Sequence, residues 1–197
     1  MADGESVLAY WLGVRNEEAP ETERVTRWFA ADAAVDQEIR IRFGDLVEAA
    51  VAGELTAWET MPLDRAALII LLDQFQRNLF RRTARAFDGD SRALELAQRT
   101  TREELNRLHP LERYFVIVPF MHAENLEAER SGEQAFAEAV VDAEDQFQAF
   151  FKNGLEFATR HRVVIERFGR FPHRNRVLGR ASTAEEIAFL EANPTGF

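Results

Sequence analysis

Three stretches of this sequence carry side chains able to hold or move charge. The first is LLDQFQRNLFR at 71–81, where Asp73 and Arg77, Gln74 and Asn78, and Arg77 and Arg81 are each four residues apart. On a regular helix that spacing stacks them along one polar strip opposite a Leu/Phe stripe, with an Asp73–Arg77 ion pair. Such a strip serves either as a solvated face or as a wall that gathers guanidiniums around an anion. The second is YFVIVPFMHAEN at 114–125, an apolar run that ends in His122, Glu124 and Asn125. His122 and Glu124 stand two residues apart, roughly 200° around a helix, so a regular helical face cannot offer both to one metal ion. They read as a general acid or base, or as core residues satisfied by their neighbours. The third is RFGRFPHRNR at 167–176, in which Gly169 permits an unusual backbone angle and Pro172 extends Phe171, so the chain leaves a helix and turns. Arg167, Arg170, His173, Arg174 and Asn175 would project from that turn as forked or tunable donors for phosphate or carboxylate. The same groups could instead tie a buried loop to helix ends.

The elements that must position these groups are helices. Val35, Ile39, Phe43, Leu46, Val47 and Ala50 recur every three or four residues, which predicts a helix over 32–52 closed by Gly53. Pro62 opens a second helix over 63–81 with Leu68, Leu71, Leu72, Phe75 and Leu79 on one side. Asp90, the Thr101/Glu104 pair and Pro110 mark further starts, a long helix is expected over 132–157, and Ser182/Glu185 or Thr183/Glu186 caps the last. The run from Tyr114 to Met121 suits a buried strand or a buried helix, and its helical surroundings favour helix, kinked at Pro119. No fixed repeat and no Gly-, Pro- or Ser-rich linker divides the chain, so 1–197 is expected to form one all-α domain, an irregular antiparallel helical array.

Composition narrows the chemistry. The chain has 197 residues, 46% of them apolar and 16 of them Phe, enough for a sizeable core. It has no cysteine, which excludes disulfides, thiolate nucleophiles and Cys-ligated zinc or iron–sulfur centres. The four histidines lack any local ligand spacing, so no metal is expected, and without a Walker-type or dinucleotide glycine motif no cofactor is implied either. The net charge of −10 opposes nucleic acid and anionic membranes as partners, although 160–180 holds seven Arg against the single acid Glu166. The start, MADGES, is acidic where a secretory leader would be basic, and 66–72 and 114–121 fall far short of the roughly 20 apolar residues of a membrane span. The expected location is the cytoplasm.

The strings LLDQFQRN (71–78), PFMHAEN (119–125), and RFGRFPHRN with LGRAST (167–183) strongly resemble the bacterial domain-of-unknown-function 924 family, and the WLG and WF pieces at 11 and 28 extend the resemblance over nearly the whole chain. What it implies is an all-helical, tetratricopeptide-repeat-like fold with no established activity to carry over. Gln76 stands where that pattern has Pro, and Asn125 where it has Asp, which weakens position 125 as a cation ligand.

Two functions follow as expectations. One is a small-molecule binder or enzyme whose pocket gathers Asp73, Arg77, Asn78, Arg81, His122, Glu124, Arg167, Arg170, His173, Arg174 and Asn175 around a phosphate- or carboxylate-bearing ligand, with His161 able to join it or to cap a helix. The other is a protein-interaction module that holds an acidic partner in a helical-repeat groove. Because each interrupts an apolar stretch, Asp73, Arg77, His122 and Arg170 are expected in one connected polar network.

Overall fold

Helical periodicity governs every element of the computed structural model, which describes residues 3–13 and 18–193 and contains no strand among them. The chain runs through α1 (Gly4–Leu12), α2 (Thr22–Phe29) and α3 (Ala33–Val51), the last capped by Asp32 and followed by Gly53 at φ +76°. The second expected helix is present but not regular. It comprises α4 (Pro62–Ile69), a π-helical turn over Ile70–Phe75, and α5 (Gln76–Leu79), and at its exit the Gln76 N–H reaches back five residues to the Leu71 carbonyl.

Next come α6 (Asp90–Arg99), α7 (Arg102–Arg107) with its Thr101/Glu104 capping box, and α8 (Pro110–Ile117). The apolar run after Tyr114 is indeed helical, and at Pro119, which has no N–H to give, it tightens into a 3-10 turn over Val118–His122. The long helix expected over 132–157 is in fact two, α9 (Leu126–Asp142) and α10 (Asp145–Phe168). Extended backbone at Ala143 and Glu144 reverses the chain. The reversal brings Phe136 and Ala139 of α9 and Phe147, Phe150 and Phe151 of α10 into the same core, a burial that one continuous rod could not achieve. Helix α10 ends at Gly169, left-handed at φ +68°, and the chain turns to α11 (Ala184–Ala192), opened by Thr183 and Glu186.

Most of the core is one cluster dominated by rings. Phe75 of the π turn meets Trp11, Tyr10 and Phe43 at centroid distances of 5.3, 5.9 and 5.2 Å, and Trp28 meets Phe115 at 5.0 Å. Each fully buried Phe contributes about 1.5–3 kcal/mol, so the packing of Phe75 helps to hold the π turn in place. A smaller apolar cluster of Val164, Ile165 and Phe171 packs with Phe168 and Phe189 under α11.

Candidate functional site

Asp73 lies at the middle of the π turn and is fully buried, not on a solvated face as a regular helix would suggest. Every residue from Arg65 to Gln76 is buried, so the segment is enclosed on all sides, and Gln74, Gln76 and Asn78 are buried together with Asp73. Opposite stands His122, delivered by the 3-10 turn after Pro119, with its Nδ1 2.6 Å from Asp73 Oδ1. Gln74 Nε2 donates to Asp73 Oδ2 at 2.5 Å, and Arg77 Nη1 lies 3.4 Å from Oδ1, so the i,i+4 ion pair is present. Burial by itself would push the Asp73 carboxyl up, but His122, Arg77 and the Gln74 amide outweigh it and hold the group well below the usual carboxylate range. Burial pushes His122 down, against the pull of Asp73. The pair is therefore a carboxylate and a neutral imidazole. Since a carboxylate only accepts, Nδ1 carries the ring proton, and Nε2 remains as an acceptor with no partner among the described residues.

A second layer of charge locks this dyad. Arg77 grips Asp90 through two bonds of 2.7 and 3.1 Å, and Arg174, from the late turn, donates to Asp90 Oδ2 and to the His122 carbonyl, each at 3.0 Å. Asp90 reaches this point because Gly89 packs against the Leu72 carbonyl so closely that a Cβ would stand 2.2 Å from it. On the other side Asn78 and Arg81 both bind Asp36 of α3, Arg81 by bonds of 2.6 and 3.1 Å.

The expected single network resolves into two. Asp73, Arg77, His122 and Arg174 share one, whereas Arg170 belongs to the other, where it forks onto Glu186 at 2.7 and 2.9 Å. Asn175 donates to Glu186 and Ser182, and Arg180 binds Asn175 and both oxygens of Glu124. Glu124 also accepts the Phe171 N–H, so it anchors the turn instead of facing His122. Hydrogen bonds from Arg170, the Thr183 backbone and Asn175 hold Glu186 at a pKa of about 2. Arg167 pairs with Glu185 near the surface, and His173 stands exposed beside Phe171. Asn125 caps α9 by accepting the Ala128 N–H, a role that Asn fills as well as Asp.

The first network borders a cavity of about 310 Å³ lined by Trp28, Phe29, Gln74, Arg77, Asn78, Arg81, Tyr114, Val118, Met121, His122, Phe157 and His161. Of the expected site residues, it gathers Arg77, Asn78, Arg81 and His122, with Asp73 directly behind; the late-turn group and Glu124 line no part of it. His161 does join, its Nδ1 2.8 Å from the Phe157 carbonyl and its ring centroid 6.2 Å from that of His122. Burial drives His161 down to a pKa of about 3, so it too is a neutral ring. Other hollows, near Glu21–Val35 and near Met61–Glu112, lie outside this polar network. No group of three or more His, Asp or Glu that could hold a metal occurs among the described residues, and no described helix is long and apolar enough to cross a membrane.

Asp36, Asp90, Trp28 and Tyr114 were not singled out for chemistry in the sequence. Asp90 carried only the signal of a helix start, and the contacts that matter span 42 residues for Asn78–Asp36 and 84 for Arg174–Asp90.

Comparison with known proteins agrees with this architecture. A solved structure of a protein of unknown function from Agrobacterium tumefaciens, ATU0120, is 34% identical, superposes with a TM-score of 0.74, and covers 96% of this chain and 97% of its own. No curated protein matches. The family model described as a bacterial protein of unknown function, DUF924, matches residues 7–194, and the chain belongs to that family.

Proposed function

We propose that this protein binds a small molecule in the Trp28–Phe157 cavity and that His122, held by Asp73, is the group that accepts a proton from it. One observation carries the reading. A buried carboxylate 2.6 Å from Nδ1 fixes the tautomer and orientation of an imidazole that borders a cavity of ligand size. That is the arrangement by which a neutral histidine is made a directed base. A structural role alone would be served equally well by a histidine sealed in the core, yet the His122 side chain keeps 18% of its exposure.

The anionic ligand suggested by the arginine count has less support, since Arg77, Arg81, Arg170 and Arg174 are each already paired with a carboxylate. A protein-interaction surface is a second reading, favoured by Phe29 and Phe157, which stand exposed beside the cavity. A cytoplasmic setting and a tetratricopeptide-repeat-like course are proposed with the function. The acidic, cysteine-free composition supports the first and the antiparallel α9–α10 pair the second.

The test is a thermal-shift screen of neutral and anionic metabolites on the parent, repeated on Phe157→Arg, which fills the cavity with charge. Hits are then incubated with the parent and with His122→Gln, and the products analysed by mass spectrometry. The proposal expects hits that Phe157→Arg loses, and conversion that His122→Gln abolishes. Hits unaffected by Phe157→Arg, or no hits at all, would set it aside.

A further inference from the structure

The polar groups on the cavity wall have a definite sense of donor and acceptor. Gln74 and Asn78 each turn an amide N–H towards a carboxylate, Asp73 and Asp36 respectively. A carboxylate accepts only, so both amide orientations are fixed, and each side chain is left with its carbonyl oxygen. His122, with its proton on Nδ1, adds a third acceptor at Nε2. The guanidiniums that line the same wall are spoken for: Arg77 is neutralised by Asp90 and Asp73, and Arg81 by Asp36.

Tyr114 supplies the opposite sense. It is 3% exposed, its ring stacked on Phe150 at 4.2 Å and edge-on to Phe136 at 5.1 Å, and Gly154 beside it has no room for a Cβ. Its hydroxyl has no hydrogen-bond partner among the described residues, and burial alone raises its pKa, so it stays protonated. A tyrosine so deeply held, on the wall of a cavity and with its donor unused by the protein, offers that donor to a molecule in the cavity.

Resting on the reading of this cavity as a ligand site, we propose that it takes an uncharged, ring-bearing molecule that carries both a carbonyl or hydroxyl acceptor and an N–H or O–H donor, as a carboxamide or a phenol does. Tyr114 donates to the acceptor; Gln74, Asn78 and His122 receive the donor. Trp28 and Phe157 bracket the ring. A carboxylate or phosphate would bring oxygens onto three acceptors and would have to draw an arginine from its own aspartate. An apolar cavity of about 150 Å³ holds benzene, so about 310 Å³ accommodates one substituted ring.

The probes are benzamide, phenol, toluene, benzoate and phenyl phosphate, followed by quenching of Trp28 fluorescence with Trp28→Phe as the blank and by thermal shift. Benzamide and phenol should bind at least about tenfold more tightly than benzoate or phenyl phosphate. Tyr114→Phe should weaken benzamide about three- to tenfold, the worth of one net hydrogen bond, and leave toluene unchanged. Benzoate or phenyl phosphate binding more tightly than benzamide overturns the neutral-ligand assignment while the cavity reading stands. Benzamide binding equally to parent and Tyr114→Phe overturns the role of Tyr114. If none of the five probes binds to the folded parent, the cavity reading falls with it.

Discussion

Replacing Asp73 by Asn removes one negative charge from a buried cluster in which two carboxylates, Asp73 and Asp90, face two guanidiniums, Arg77 and Arg174. The hydrogen bonds are not the main loss. Gln74 can turn its amide to meet the new N–H, and His122 Nδ1–H can still donate to the remaining oxygen. What is lost is charge balance, since the cluster passes from net zero to net +1 with Asp73 fully buried. Breaking a buried pair by removing one partner costs about 3–5 kcal/mol. Here Arg77 keeps Asp90 at 2.7 Å, so a loss of about 2–4 kcal/mol is expected. That leaves a protein of ordinary stability folded. Urea denaturation at pH 7 measures the loss, and NMR titration of the ring supplies an independent readout. Asp73 opposes the effect of burial on His122, so its removal should move the His122 midpoint further down. A stability change under about 0.5 kcal/mol, or a His122 midpoint that stays put or rises, would refute the charge-balanced dyad.

Two further substitutions test the surrounding frame. Arg174 lies between the rings of Phe87 and Phe171, at 4.4 and 4.6 Å, and spans Asp90 and the His122 carbonyl. Lysine keeps the charge but cannot make both bonds, so Arg174→Lys should cost about 1–3 kcal/mol in urea melts, with no rescue by phosphate. A neutral effect on stability together with weakened phosphate binding would restore the late turn as an anion site. Glu129 is fully buried, both its carboxyl oxygens have no partner among the described residues, and burial raises its pKa from 4.5 to about 8. Between those values the native state holds a proton that the unfolded chain has released. The stabilisation is complete below about pH 4.5 and is lost as pH rises through 8, at up to roughly 1.4 kcal/mol per pH unit. Glu129→Gln should flatten that decline, so the variant gains on the parent from pH 5 to pH 8; parallel stability–pH curves would show that Glu129 is already ionised.

The helical class, the capping box at Thr101, the one at Thr183 as one of two candidates, and the turn after Gly169 were legible in the sequence because each rests on local backbone chemistry. The break at Ala143–Glu144 was not, since neither residue is a helix breaker and the reversal is selected by the shared core of α9 and α10. The same division holds in the site. Asp73, Arg77 and His122 stand out by interrupting apolar stretches, but their sorting into a cavity wall and a separate late-turn tie depends on partners far away in sequence. The π turn also hides from periodicity, for no Gly or Pro marks it. Read as a regular amphipathic helix, the strip has a solvated face, whereas every residue from Arg65 to Gln76 is buried.

That turn makes the length of the segment, as well as its letters, part of the code. A π turn is an α-helix carrying one residue too many, and Phe75, packed against three other rings, keeps the surplus from being expelled. Winding the same residues as a regular α-helix, with none removed, would swing α4 by about 100° relative to α5. The apolar face of α4, set against α1 and α8, and the polar strip of α5 could then no longer both be seated. A one-residue deletion inside the turn removes only the surplus and keeps the two faces in phase, so it is a milder lesion than the same deletion in the regular helix on either side.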